Sequence, residues 1–363
     1  MFKETYHIIG VMSGTSLDGI DIAEVTLTVE NNKWSYFFMA VETVKYSVEW
    51  INKLKKAIHF SEEKLEILNQ DYTKLLAKEI NLFIEKNSIK NINAVCSHGH
   101  TVLHQPQDGI TLQIGNLPVL SQLLKQNVVC DFRVQDVQLG GQGAPLVPIG
   151  DKILFSKYAF CLNLGGFSNI SMTFQETRIA FDISPVNTVL NFYSNKLGLE
   201  FDDKGTIAKS GKINQNLKQE LDDLDFYNQD YPKSLGFEFV IDIIIPLIEK
   251  TKESTENKLA TFTEHVAFQI AKTINRYLAE SNKKQKVLIT GGGAYNLHLI
   301  NRIKYFSPNI EIDIPNSKTL EFKEALLFGL LGVLKIRKEI NVLKSVTGAK
   351  RDHSSGKIFS YPI

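Results

Sequence analysis

The chain has 363 residues, 43% hydrophobic and 22% charged, which is ordinary globular usage and enough to build two domain cores. Forty-one basic against forty acidic side chains leave a formal charge of +1, so composition gives no footprint for nucleic acid or an anionic membrane. No window approaches the roughly 20 apolar residues that span a bilayer, and Gly10 follows an apolar run too short for a signal-peptide core, so the expected location is cytoplasmic.

In chain order, the apolar run Tyr6–Ile9 leads into Gly10-Val11-Met12-Ser13-Gly14-Thr15-Ser16-Leu17-Asp18-Gly19. Beyond it Ala23, Val25, Leu27 and Val29 alternate with polar neighbours, which predicts a second strand and therefore a hairpin. Glycines in such a turn let backbone N–H groups approach an anion, and the hydroxyls of Thr15 and Ser16 add donors. Asp18 can hold Mg²⁺ through water, because magnesium prefers oxygen ligands and keeps its hydration. A glycine-rich hairpin without any ligand is the competing reading. No Gly-Lys-Ser/Thr ends the segment, so it is not a Walker loop. It also leads into a strand rather than a helix, which breaks the dinucleotide fingerprint.

Leu65, Leu68, Tyr72, Leu75, Leu76, Ile80 and Phe83 recur at helical spacing and read as one long core-facing helix. Ser97-His98-Gly99-His100-Thr101-Val102-Leu103-His104 brings three imidazoles together at a spacing that does not suit zinc. Polar contacts to a hydroxylated substrate, from His98 and Thr101, suit the run better. Arg133 in Cys130-Asp131-Phe132-Arg133 precedes the glycine-rich Leu139–Pro148. There it can clamp a carboxylate or phosphate with two parallel hydrogen bonds, or pair with Asp131 or Asp136. Cys96, Cys130 and Cys161 fit no zinc or disulfide pattern and read as buried free thiols.

A second strand, glycine turn and strand follow in Ala159–Met172, with Gly165-Gly166 at the turn and Asn169 just beyond it. Phe181-Asp182-Ile183-Ser184-Pro185-Val186-Asn187 puts a carboxylate after the apolar pair Ile179-Ala180. It serves either as a base held by a rigid strand or as the cap of a following helix. Lys212–Lys258 is polar and low in glycine, and predicts surface helices and loops. Phe262, Val266, Ile270, Ile274 and Tyr277 mark another long helix. Lys283–Lys286 reads as a solvated turn. Val287–Thr290 then runs into Gly291-Gly292-Gly293, with a helix expected over Leu297–Ile303. The triplet permits close approach of a flat ligand such as adenine, or simply of another backbone. Two similar hairpins with helices between them predict an α/β protein of two domains on one plan, residues 1–135 plus 341–363 and residues 136–340.

Taken together, residues 10–21, 97–102, 131–133, 139–148, 163–169, 291–293, 324–328 and 345–349 resemble the anhydro-N-acetylmuramic acid kinases. The resemblance implies the two-domain actin-like ATPase fold of sugar kinases and Hsp70: duplicated β-sheet cores flanked by helices, with nucleotide in an interdomain cleft. It implies ATP and Mg²⁺ as cofactors and a small amino sugar as substrate, phosphorylated on O6 as its anhydro bridge opens. A homodimer is also implied. By position, Asp182 activates water, Arg133 holds the lactyl carboxylate and Glu324 reaches the sugar hydroxyls. Gly14, Thr15, Ser16, Leu17, Asp18, Gly19 and Asp21 hold phosphates, with Gly165, Gly166, Asn169, Gly291, Gly292 and Gly293 completing the ATP contacts. The family's Asp-Thr-Gly-Pro-Gly-Asn reads Asp182-Ile183-Ser184-Pro185-Val186-Asn187 here. Its basic pair after Asp-Phe-Arg reads Val134-Gln135, and Phe237 stands where it has arginine. These departures leave a second reading, a nucleotide-binding homologue without turnover that acts as sensor or partner.

Overall fold

The computed structural model describes residues 3–278 and 284–362. Among these the chain divides into two compact units, Met1–Leu154 with Phe322–Ile363, and Phe155–Glu321.

The first unit is built on a seven-stranded sheet. Strands β1 (Thr5–Ser13), β2 (Ile20–Glu30) and β3 (Lys33–Val44) form an antiparallel meander. On the other side of β1 lie β4 (Ala94–Gln105) and then β6 (Val128–Cys130), both parallel to it. β5 (Ile110–Ile114) folds back on the end of β4, and β12 (Lys357–Phe359) closes the edge against β6. The second unit repeats this order. β7 (Phe160–Leu164), β8 (Phe167–Phe174) and β9 (Thr177–Pro185) form the meander. β10 (Gln285–Thr290) runs parallel to β7, and β11 (Ile310–Asp313) parallel to β10. The duplicated β-sheet cores flanked by helices are those of the expected actin-like plan.

The predicted hairpins, and the helix after the third glycine segment, are present; that helix is Leu297–Phe306. The two long amphipathic helices are Glu62–Lys86 and Thr255–Tyr277. The first buries Leu65, Leu68, Tyr72, Leu76, Ile80 and Phe83 under the first sheet. The second is capped by Ser254, whose side chain accepts from the Asn257 N–H at 3.3 Å, and buries Phe262, Val266, Ile270 and Ile274. Each such side chain contributes roughly 1.5–3 kcal/mol, so truncating Ile270 to alanine is expected to cost about 2–5 kcal/mol.

Two expectations change. Lys212–Lys258 is not only surface: Leu217, Leu221, Val240, Ile244 and Ile248 belong to the second core, because the span folds onto the Thr255–Tyr277 helix. Its polar residues on the outer face masked that stripe. In the basic run, Lys283 lies outside the described residues, while Gln285 and Lys286 already belong to β10. Lys286 pairs with Glu311 at 3.4 Å.

The chain leaves the first unit after Leu154 and returns at Phe322, rather than at 135/136 and 340/341. Asp136 is fully buried there, accepting from the Gly143 N–H at 2.7 Å and from the Thr347 hydroxyl at 2.7 Å, which binds the Leu139–Pro148 loop into the first unit. On return, the helix Ser317–Ile336 breaks at Phe322 (φ −106°, ψ 15°). Past that point Ala325, Gly329 and Gly332 form a small-residue stripe laid on Gly10, Ile8 and Cys96; a side chain at Gly10 would overlap the Ala325 carbonyl. Cys96, Cys130 and Cys161 are all buried, and burial pushes the Cys96 thiol up to about 12. Among the described residues no helix is long and apolar enough to cross a membrane.

Candidate active site

In the first unit, β1 and β2 frame an open loop. Thr15, Ser16 and Asp18 are exposed, and the backbone turns left-handed at Leu17 (φ 63°). Gly19 (φ 152°) packs so close that a Cβ would lie 2.4 Å from the Val44 carbonyl oxygen, so only glycine fits. The loop stands on a buried polar post. Ser13 Oγ meets His100 Nδ1 at 2.9 Å and Tyr46 Oη at 2.6 Å, and Tyr46 continues to Tyr72 at 2.5 Å. Burial lowers the His100 imidazole to about 4, so it is neutral at physiological pH. Asp21, half-buried on β2, accepts from the Thr43 hydroxyl at 2.6 Å. It therefore belongs to the sheet rather than to the exposed loop.

Arg133 has neither of the acidic partners weighed for it. Asp131 pairs with Lys357 at 2.6 Å, and Asp136 is taken by Gly143 and Thr347. Arg133 Nε instead donates to His98 Nε2 at 2.8 Å, and Nη1 donates to the Gly143 carbonyl at 2.5 Å. Burial draws the guanidinium down to about 10, against the pull of Glu324 and Asp136, so it stays charged at neutral pH. Nη2 has no acceptor among the described residues, which leaves a donor edge for an anion. His98 is buried against Phe328, with ring centroids 4.5 Å apart. Its Nδ1–H donates to the Gly99 carbonyl at 2.8 Å while Nε2 accepts from Arg133. Burial, and then the Arg133 charge, hold His98 well below the ordinary imidazole range. With both nitrogens engaged, His98 orients Arg133 and has none left for a sugar hydroxyl. Thr101 is half-buried on β4 and accepts weakly from Gln113 at 3.4 Å. Glu324 is solvent-exposed on its helix. The protein packed around it nevertheless raises its carboxyl, while Arg133 and Lys323 pull the other way.

In the second unit the turn is tight and braced. The first residues of the Asn187–Lys196 helix close on it: Val186 N–H donates to Gly166 O at 2.8 Å, and the Thr188 hydroxyl to the same oxygen at 2.9 Å. Asn187 Nδ2 donates to the Leu164 carbonyl at 3.2 Å. Gly291 is left-handed (φ 83°), and a Cβ at Gly293 would lie 2.7 Å from that of Leu164. The sequence-predicted Gly165-Gly166 and Gly291–Gly293 are therefore brought together over Leu164, with Gly292 open above them. Asn169 pairs with Asp182 across β8 and β9.

Asp182 lies within β9, not at a helix cap. The following helix starts at Asn187 with Val186 before it, and no side chain caps it. Phe181 and Ile183 face the core, so alternation turns Asp182 to the other face. The segment beside this edge strand holds it at two points. Asp182 N–H donates to the Lys233 carbonyl at 3.1 Å, and Leu235 N–H donates to Asp182 Oδ2 at 2.9 Å. Burial raises the carboxyl above the ordinary aspartate range, and the Leu235 bond partly offsets this. The substituted residues are absorbed by packing. β9 carries a bulge at Ile183, and Val186 sits at φ −131° with its side chain wholly inside the core. Sequence reasoning missed this support, because Lys233 and Leu235 grip Asp182 through main-chain atoms that residue types do not reveal.

The description "Anhydro-N-acetylmuramic acid kinase" belongs to the family model that matches residues 6–361. The chain belongs to the anhydro-N-acetylmuramic acid kinase family. Relatives of that name include the Pseudomonas fluorescens protein, 33% identical over 97% of this chain and 98% of its own. The Haemophilus influenzae protein is 32% identical over 98% of both chains. The Francisella tularensis subsp. novicida protein is 30% identical over 98% of this chain and 99% of its own. Among solved structures, component A of the (R)-2-hydroxyglutaryl-CoA dehydratase of Acidaminococcus fermentans covers 92% of this chain at 12% identity and a TM-score of 0.47, with all of its own chain aligned.

Proposed function

We propose that the protein is an ATP-dependent kinase that opens the anhydro bridge of 1,6-anhydro-N-acetylmuramic acid with water and phosphorylates O6, giving N-acetylmuramic acid 6-phosphate and ADP. Beside family membership, the observation that carries this reading is the setting of Asp182: a carboxylate on a rigid strand, one oxygen fixed by Leu235 N–H, its pKa raised toward working pH. Asp182 takes a proton from water as the water oxygen bonds to the anomeric carbon. The C1–O6 bond breaks, O6 bonds to the γ-phosphorus, and ADP leaves with the electron pair of the β–γ bridge. Capture of O6 by phosphorus removes the need for a separate proton donor. Arg133, oriented by His98 and Gly143, supports recognition of the lactyl carboxylate by its remaining donors, and Glu324 offers an acceptor to sugar hydroxyls.

For ATP, the Gly14–Gly19 loop offers open amides and hydroxyls to the phosphates, and Gly291–Gly293 gives flat, side-chain-free backbone for adenine. Asp18 suits Mg²⁺ held mostly by phosphate oxygens and water, since it is exposed and no cluster of three or more metal-binding side chains occurs among the described residues. When bound, the ion neutralises phosphate charge. A cytoplasmic setting, where ATP is made, fits this chemistry. A nucleotide-binding homologue without turnover is favoured by no observation. The test is ADP release by the purified protein with ATP, Mg²⁺ and the anhydro sugar. Sugar-dependent release is expected, and ATP binding without it would overturn the proposal.

A further inference from the structure

On the opposite face of β9 from Asp182 lies a half-open recess of about 40 Å³, in the second unit alone. A water needs about 10–15 Å³ measured this way, so the recess admits a tetrahedral anion but not a sugar ring. Three cations line it: Lys233, Lys272 and Arg276. Phe181 and Tyr231 form one wall, stacked with ring centroids 5.9 Å apart and planes 13° from parallel. Buried Gln269 also lines it. The facing acid is Asp230, which pairs with Arg276 at 2.6 Å, so positive charge remains in excess. Lys233 is half-buried and donates to the Phe226 carbonyl at 3.0 Å. Burial, and then Lys272 and Arg276, hold its ammonium below the ordinary lysine range, a strain that an anion would relieve.

We infer that this recess binds a phosphate dianion, free or as the head of a phosphomonoester, and tightens the segment that grips Asp182. Lys233 provides the link. Lys233 lines the recess while its carbonyl accepts from Asp182 N–H, and Leu235, two residues on, holds the Asp182 carboxylate. The binding half stands independently of the proposed reaction; the coupling rests on Asp182 being its base. An anion drawn between Lys233, Lys272 and Arg276 fixes Lys233 and therefore the Leu235 amide.

The test titrates full-length, ADP-saturated protein by calorimetry with inorganic phosphate and, separately, with glucose 6-phosphate. The comparison is the Lys272→Gln, Arg276→Gln double variant, both positions being exposed. Wild-type protein is expected to bind, and the double variant to bind at least about tenfold more weakly with its initial-rate turnover, without added phosphate, unchanged. Equal affinities for the two probes indicate recognition of the phosphate alone; tighter glucose 6-phosphate binding indicates an esterified ligand whose ring packs on Tyr231. Hydrogen exchange at the Leu235 amide should slow at least about threefold with phosphate in the wild type only. Undiminished binding by the double variant, or none by the wild type, overturns the site. Binding that leaves Leu235 exchange unchanged overturns the coupling.

Discussion

The two sheets share one topology and differ at their turns. Between β1 and β2 the loop is long and exposed, resting on the Ser13–His100–Tyr46 post. Between β7 and β8 the turn is Gly165-Gly166, and a helix start occupies its carbonyls. The acids differ in the same sense. Asp21 pairs with Thr43 in the first meander, and the Thr43 hydroxyl occupies its carboxylate. In the second, Asn169 pairs with Asp182, moving the acid to the edge strand, where a backbone amide rather than a hydroxyl fixes one oxygen. A duplicated frame thus carries different local settings at its turns and edges, where packing constrains residue choice least.

The sharpest break of this comparison is at Asp182. Asp182→Asn is expected to lower turnover by about 10²–10⁴-fold while ATP and sugar binding persist, measured by single-turnover ADP release and calorimetry. Thr43→Val should not reproduce that loss if the acids are as different as their partners. Next is Arg133→Lys, which keeps the charge but loses the planar fork that His98 and Gly143 orient. It should raise KM for the lactyl-bearing sugar at least about tenfold in steady-state assays. Val186→Gly, which restores the family's residue, deletes a wholly buried side chain. It should cost about 2 kcal/mol and lower Tm by several degrees in a thermal melt, with no gain in turnover.

A pH series sharpens the comparison further. The folded-state pKa of Asp182 is raised, so its contribution to stability is full below the unfolded value of about 3.9 and lost as pH rises through the folded value. Asp182→Asn should therefore raise, not lower, Tm at pH 7, while wild-type kcat/KM falls on the acid side of the raised Asp182 pKa. Phe237→Arg should have the smallest effect. The side chain is 59% exposed, and stability should move by less than about 0.5 kcal/mol.

Much of this was legible in residue order. Period-two alternation after Gly19 and the 3.6-residue stripes of Leu65–Phe83 and Phe262–Tyr277 fixed strands and helices, because one buried face imposes one period. The motifs located Asp182 and Arg133 and both glycine turns. Their partners were not legible. Arg133 looked to Asp131 or Asp136, yet its bonds run to His98 and a carbonyl, since each aspartate is claimed by a residue over 200 positions away. Lys233 and Leu235 grip Asp182 through main-chain atoms, which every residue carries and no composition reveals. The functional reading of His98 as a sugar contact came from the same blindness to where a ring nitrogen is already bonded.

The return of the chain at Phe322 sets an order of events during synthesis. Residues 322–363 are translated after the whole second unit, which can complete its own sheet and core first. Until they emerge, β1 and β4 lack the Ala325–Gly329–Gly332 stripe that lies against Gly10, Ile8 and Cys96, and β6 lacks its edge partner β12. The nascent first half thus waits with an apolar face and an open strand edge in solvent, a stage at which a chaperone has most to cover.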